Sequence, residues 1–428
     1  MTASAPLPAT FTPARSGRSS LLALFGAMVV SLTGSQATAV AIPWFVLAST
    51  GSTARTATVA ACETGAIVVS ALFGGALVDR IAYRRISITA DLLAGLTVAA
   101  IPALSFTVGL PFPLLLVLVA IAAGSNTPGN TARSALMPDL VAWAGVRMER
   151  ATATMQAIQR GSVMVGAPVA GLLIALIGAR AVLWVDAASF ALSALIVGAL
   201  VARPPVTATP TTGRTARASY PAQVREGLRF IRAHRLLAAM VLTVMVTNFL
   251  DATYVVLIPV YAREVYDSSV ALGLLIGVAG GGALASAIVF GMIGHRLPPR
   301  KTMLWSFAGI AWTRIPLLFF PPLPVALLSR GASGVASGPI NPVFWSVMFR
   351  RIPADLRGRV LGVVGAGAQL GTPLGAVTAG VLISGLGLRV ALGIIVGAYI
   401  AVTMAMWFVP AFHEMGATPA PAGEGVHA

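Results

Sequence analysis

Twelve stretches of this chain are apolar for long enough to cross a bilayer, and a chain so patterned has few folds open to it. They lie at about 21–47, 57–78, 86–108, 112–136, 151–177, 181–201, 236–261, 269–294, 302–320, 323–349, 358–384 and 388–409. A spanning helix needs roughly 20 mostly apolar residues. In hydrocarbon no water is present to bond the backbone, so each run is predicted to satisfy its own peptide groups as a helix. Composition supports this. Of 428 residues, 57% are hydrophobic and 10% charged, with mean hydropathy +0.88, whereas water-soluble domains carry about 25% charged residues. The predicted class is an all-α membrane protein, with twelve transmembrane helices in two pseudo-symmetric six-helix bundles.

Basic residues outnumber acidic ones 29 to 13. Their distribution argues against nucleic acid as the partner. The arginines form short clusters between apolar runs, the pattern of cytoplasmic loops. With the N-terminus inside, inner segments hold twenty-one basic residues and outer loops four: Arg55, Arg180, Arg263 and Arg389. This orientation places both termini in the cytoplasm of a multi-pass protein of the plasma (inner) membrane, with lipid headgroups as the counter-charge. The first run is too long for a signal-peptide core. A lone cysteine, Cys62, and four scattered histidines offer no disulfide or metal site within one chain. No cofactor is expected, no enzyme activity, and a monomer.

The expected organisation is a tail (1–19), a six-helix bundle (20–201), a cytoplasmic linker (202–235), a second bundle (236–409) and a C-terminal tail (410–428). Within the linker, Val224, Leu228 and Ile231 recur at helical spacing against Arg225, Arg229, Arg232 and Arg235, which predicts a basic amphipathic helix on the inner membrane surface. The bundles echo each other. Gly75, Asp79, Arg80, Arg84 and Arg85 follow the second run, and Gly291, His295, Arg296, Arg300 and Lys301 follow the eighth in the same register. Gly166–Ala167–Pro168 and Gly371–Thr372–Pro373 form a second echo. Repeated halves with a site between them are a transporter architecture.

Gly75 to Arg85 resembles the G-x-x-x-D-R-x-x-x-R-R/K loop signature of the major facilitator superfamily, and the likeness extends over the whole chain. Pro128 to Pro138, Gly166 to Gly171 and Arg357–Gly358–Arg359–Val360 resemble the branch holding enterobactin exporters and macrolide-efflux proteins. Gly166 to Gly171 is also similar to the Gly-Pro element of drug/proton antiporters, departing from it at Ala167 and Leu172. The resemblance implies a conformational latch of Gly75, Asp79, Arg80, Arg84 and Arg85 against the start of span 11, where Arg357 and Arg359 stand. A carboxylate is stabilised at such a helix start.

Charges inside spans normally face a cavity or a partner. Glu63 and Asp251 sit among small or polar neighbours and are the candidate proton carriers, Asp251 slightly ahead because Thr247, Asn248 and Tyr254 surround it. The alternative is an ion pair with Arg314 or Arg330. Arg160 shares a face with Gln156. Asp186 is expected to pair with Arg180, and Asp91 to neutralise Arg84 or Arg85. Ser31, Ser35 and Thr38, then Asn126 and Asn130, then Arg330, Ser333, Ser337 and Asn341 align on single faces. The resemblance implies that spans 1, 4, 7 and 10 line the cavity, so Ser35, Asn126, Asn130, Gln156, Arg160, Asn248, Tyr254, Arg330, Ser337 and Asn341 are the candidate substrate lining. Lys301 is the only lysine, and no G-x-x-x-x-G-K-[ST] loop occurs. Export is therefore expected to draw on the proton gradient. Two activities fit: efflux of small amphipathic compounds such as antibiotics, or dedicated export of one secreted metabolite such as a siderophore.

Overall fold

The computed structural model describes residues 14–78, 82–107, 109–202, 220–353 and 356–416. Among them there are helices and no strands. The first set is α1 (Ala14–Thr50), α2 (Thr53–Val78), α3 (Tyr83–Thr107), α4 (Phe112–Ala144), α5 (Met148–Ile177) and α6 (Ala179–Leu200). A short α7 (Tyr220–Ala233) precedes the second set: α8 (Arg235–Tyr266), α9 (Ser269–Ile293), α10 (Pro299–Arg314), α11 (Leu323–Ser337), α12 (Ile340–Arg351), α13 (Arg357–Leu386) and α14 (Leu388–Phe408). Nine described helices are long and apolar enough to cross a membrane: α1, α3, α4, α5, α6, α8, α9, α13 and α14.

Proline explains where the helices depart from the predicted runs. The run at 302–320 is α-helical only to Arg314 and tightens into a 3-10 segment, Ile315–Phe319. Pro316 has no N–H to return to the Trp312 carbonyl, and Ile315 takes that carbonyl instead. The run at 323–349 divides into α11 and α12 at Gly338–Pro339, where Pro339 breaks the ladder in the same way. The linker helix forms as α7 and contains Val224, Leu228 and Ile231. Gly178 turns α5 directly into α6 with φ 83°, and Gly387 turns α13 into α14 with φ 80°. Only glycine adopts that backbone without strain. The two connectors hold equivalent places in their sets.

Packing differs at the two ends of the molecule. At the end carrying the α1–α2, α5–α6, α8–α9 and α13–α14 junctions, one apolar core runs through both sets. It joins Val40, Val59 and Phe190 to Leu257, Leu272 and Ile383. At the arginine-rich end the core separates. Leu24, Leu140 and Val197 cluster within the first set, and Met240, Phe307 and Val347 within the second.

Small residues make the shared end possible. A Cβ on Gly273 would collide with the Ala167 carbonyl, and one on Gly277 with the Pro168 ring. The Ser269 hydroxyl donates to the Gly171 carbonyl at 3.0 Å across the same seam of α5 and α9. On the other side of the molecule, Gly380 of α13 meets Ala57 of α2. Such close backbone approach is how helices associate where water gives no hydrophobic drive.

Gly273→Leu should therefore force the α5–α9 seam apart and lower stability by about 1–3 kcal/mol, the usual cost of overpacking. Gly161→Leu, with nothing within 4 Å of its added carbon, should stay near wild type. Thermal unfolding in detergent compares them. A Gly273→Leu protein that melts with wild type would contradict the seam.

Candidate functional site

Within the first set lies a cavity of about 260 Å³, enclosed by α1, α2, α3, α4 and α6. Its polar lining is Ser35, Gln36, Thr38, Glu63, Asn126, Asn130 and Asp186, set among Ile42, Ile67, Val119 and Phe190. Three expected residues, Ser35, Asn126 and Asn130, thus meet the expected acid Glu63 in one space. Glu63 forms no hydrogen bond or ion pair with any described residue. Two carboxylates face this cavity, and no cationic side chain lines it.

Asp186 corrects an expectation. It does not pair with Arg180. It is fully buried and accepts hydrogen bonds from the Thr38 hydroxyl of α1 and from Ser189 at 3.0 Å. Arg180 lies six residues earlier, and at about 100° per residue the two side chains leave α6 on different faces. The Arg180 guanidinium stacks instead over Phe45 and Phe106. Gly34 permits the arrangement, because a side chain there would strike both Asp186 and Ser189.

Asp91 is a second correction. It pairs with Arg133 of α4, both side chains being 1% exposed, and accepts from Ser193 of α6 at 2.7 Å. The Arg133 Nε donates to Ser87 at 3.2 Å. Arg84, the expected partner, instead donates to the carbonyls of Val197 and Gly198 at the end of α6, where a cation suits the helix dipole. In the sequence Arg133 stands out only as part of the segment Pro128 to Pro138. Because α4 runs on to Ala144, that residue is buried in a helix interior.

The second set carries a different constellation. Arg314 of α10 bonds Asp251 of α8 at 2.6 Å. Its guanidinium carbon lies 4.0 Å from the Tyr254 ring centre and 4.6 Å from that of Tyr399. Arg330 approaches Tyr254 at 5.8 Å and donates to the Leu275 carbonyl. The Asp251 side chain is 43% exposed and that of Arg314 only 7%, so the pair presents its carboxylate to open space. Of the polar neighbours expected around Asp251, Tyr254 lies against Arg314 and the other two are engaged elsewhere. Thr247 bonds the Thr243 carbonyl in its own helix, and Asn248 donates to the Ala368 carbonyl of α13 at 2.8 Å. Tyr399 gave no signal in the sequence, being one aromatic in an apolar run.

Of the remaining candidates, Arg160 is half-buried on α5 without an ion pair among the described residues, and Gln156 is exposed. Ser337 bonds back to the Gly334 carbonyl, and Asn341 is exposed at the start of α12. Asp79 and Arg80 of the latch lie outside the described residues, as do the side-chain surroundings of Gly75 and Arg357. Arg85 is exposed. Arg359 is paired with Glu226 of α7 at 2.6 Å, where Gly227 brings α7 against the α13 backbone. No group of residues suited to a metal occurs among those described.

The model of the Major Facilitator Superfamily matches residues 24–323 and again 271–425. The multidrug efflux pump Tap of Mycobacterium tuberculosis (strain H37Rv) is 30% identical over 417 residues, 94% of this chain and 96% of that protein. The multidrug efflux pump Tap of Mycolicibacterium fortuitum is 32% identical over 373 residues, 86% and 90% of the two chains. Among solved structures, the nucleoside transporter NupG superposes with TM-score 0.74 at 12% identity, over 91% of this chain and 98% of that one. A mutant of the same transporter gives 0.76, over 91% and 100%. At that identity the likeness speaks for the fold alone.

The Asp91–Arg133 pair predicts a specific pattern of stability. Removing one partner leaves a buried unpaired charge, so Asp91→Asn or Arg133→Met alone should cost about 3–5 kcal/mol. The double substitution should recover most of the loss. Melting of the three purified variants measures this, and a double variant no better than either single one would contradict the pairing.

Proposed function

The chain belongs to the Major Facilitator Superfamily, and on that premise we propose that it is a secondary active transporter exporting small amphipathic molecules, antibiotics among them, by proton-coupled alternating access. The observation that carries this reading is the split in packing. A core shared at one end and divided at the other describes one extreme of a rocking pair. The likeness to two proteins named multidrug efflux pumps supplies the direction and the substrate class.

The membrane arrangement follows from counting, beside the nine helices long and apolar enough to cross, α2 as one crossing, α10 with its 3-10 extension as another and α11 with α12 as a third. That makes twelve crossings, six on each side of the 202–235 linker. Residues 20–201 and 236–409 are the two bundles, and the tails 1–19 and 410–428 lie in the cytoplasm. The arginine bias sets this orientation in the plasma membrane. The divided end then opens to the cytoplasm, the side from which an exporter loads. The protein acts as a monomer, needs no cofactor, and binds no nucleic acid.

Glu63 is the first candidate for the proton. An unpaired charge in low dielectric is costly, and the cavity around Glu63 contains no cation to match it. Asp186 shares the cavity and is the second acid. Asp251 is held by Arg314, so it would act by exchanging that partner for a proton or for a cationic group on the substrate. Ser35, Asn126 and Asn130 offer hydrogen bonds inside the first bundle. Arg160, Gln156, Asn248, Tyr254, Arg330, Ser337 and Asn341 are assigned to the space between bundles. Asp79 and Arg80, with Gly75, Arg84, Arg85, Arg357 and Arg359, form the latch. Dedicated export of one metabolite rests on the likeness of Pro128 to Pro138 to the enterobactin-exporter and macrolide-efflux branch, a segment that includes the structurally paired Arg133.

Expression in an efflux-deficient host, with a susceptibility panel run with and without a protonophore, tests the proposal. Resistance to several unrelated compounds, lost with the protonophore, is expected. Resistance to none, with one secreted metabolite exported, would favour the dedicated exporter. Glu63→Gln should abolish uphill export while downhill exchange persists. If Glu63→Gln together with Asp186→Asn still supports protonophore-sensitive export, the proton travels elsewhere.

A further inference from the structure

A cavity of about 540 Å³ lies at the shared end, where Arg263 of α8 stacks over its Trp44 with the guanidinium carbon 5.4 Å from the ring centre. All its walls come from α1, α3, α5, α6 and the α5–α6 connector. Its size falls in the roughly 300–1,000 Å³ range of small-ligand sites.

The lining is mostly apolar and aromatic, its polar side chains being Arg180 and Ser49, which bonds the Phe45 carbonyl of its own helix. Trp44, Phe45, Phe106, Ile177 and Trp184 form the walls, and Arg180 is the one charged lining residue. The Arg180 guanidinium carbon stands 5.6 Å from the Phe45 ring centre and 5.3 Å from that of Phe106. Cation–π contact of this kind fixes the group without neutralising it. Among the described residues Arg180 forms no ion pair. Its N–H groups remain available for an anion, in the planar fork that suits phosphate. The first turn of α6, at Ala179 to Ala181, also lines the cavity and carries no side-chain cap, which adds a field of the same sign.

The open side of the cavity is continuous with apolar surface. Phe106 is 66% exposed, Leu176 69% and Trp184 46%, values that suit side chains facing acyl chains. We infer that this cavity binds an anionic phospholipid, with the phosphodiester on Arg180 and the first methylenes of its chains against Phe106 and Trp184. The site rests only on the chain lying in a bilayer and does not depend on which substrate is exported.

Native mass spectrometry of the detergent-purified full chain tests this, with phosphatidylglycerol and phosphatidylcholine of matched chains as probes. The tightest binding step should favour phosphatidylglycerol. Arg180→Gln should weaken that step about fivefold, the size of one charge-assisted contact. Arg180→Lys should retain part of it. Arg389→Gln removes an arginine that stacks on Phe320 and donates to the Leu318 carbonyl, and it should leave the step unchanged. Millimolar inorganic phosphate should not displace the lipid. Equal binding of the two lipids, equal effects of Arg180→Gln and Arg389→Gln, or displacement by free phosphate would each overturn the inference.

Discussion

A peptide group in hydrocarbon has only other protein groups to bond to, and this constraint shapes everything in the chain. It makes each apolar run a helix and makes every lost backbone bond an event. Prolines such as Pro168 and Pro373 are carried inside helices, whereas two others interrupt a predicted run. Pro316 gives a 3-10 turn and Pro339 a new helix start. The same constraint leaves helix association to close packing. The Gly273–Ala167 and Gly380–Ala57 approaches therefore carry weight that leucine contacts would carry in a soluble protein.

The helices were legible because hydrophobic length is a local property. The echoed motifs Gly166 to Gly171 and Gly371 to Pro373 turn out to be contact sites: Gly166 packs on α1, Gly171 on α9 and Gly371 on α8. Of the ion-pair partners, Arg314 was legible as an alternative for Asp251, but those of Asp186 and Asp91 were not. Asp186 lies near Arg180 in sequence yet bonds Thr38, 148 residues away. Asp91 lies near Arg84 and Arg85 yet bonds Arg133. Sequence proximity proposes partners within one helix, while the cost of buried charge selects partners across helices. Ser35, Asn126 and Asn130 were found because polar residues repeating on one face have a period to read. Gln36 and Tyr399 have no such repeat.

The two sets handle buried acids in opposite ways. In the first, Asp91 is sealed by Arg133, while Glu63 and Asp186 face a cavity with no cation. In the second, Asp251 meets Arg314 under two tyrosine rings, with Arg330 close by. One set therefore presents acid in excess and the other base in excess.

The central claim is that the shared and divided ends exchange roles. Spin labels at Arg150→Cys and Ile293→Cys report the divided end, and labels at Ile177→Cys and Glu264→Cys report the shared end, each pair in a Cys62→Ser background. Double electron–electron resonance in liposomes, with a transported compound and an imposed proton gradient, should show the first distance shortening in the same fraction of molecules in which the second lengthens. Distances that stay fixed at both ends while transport proceeds would contradict the account.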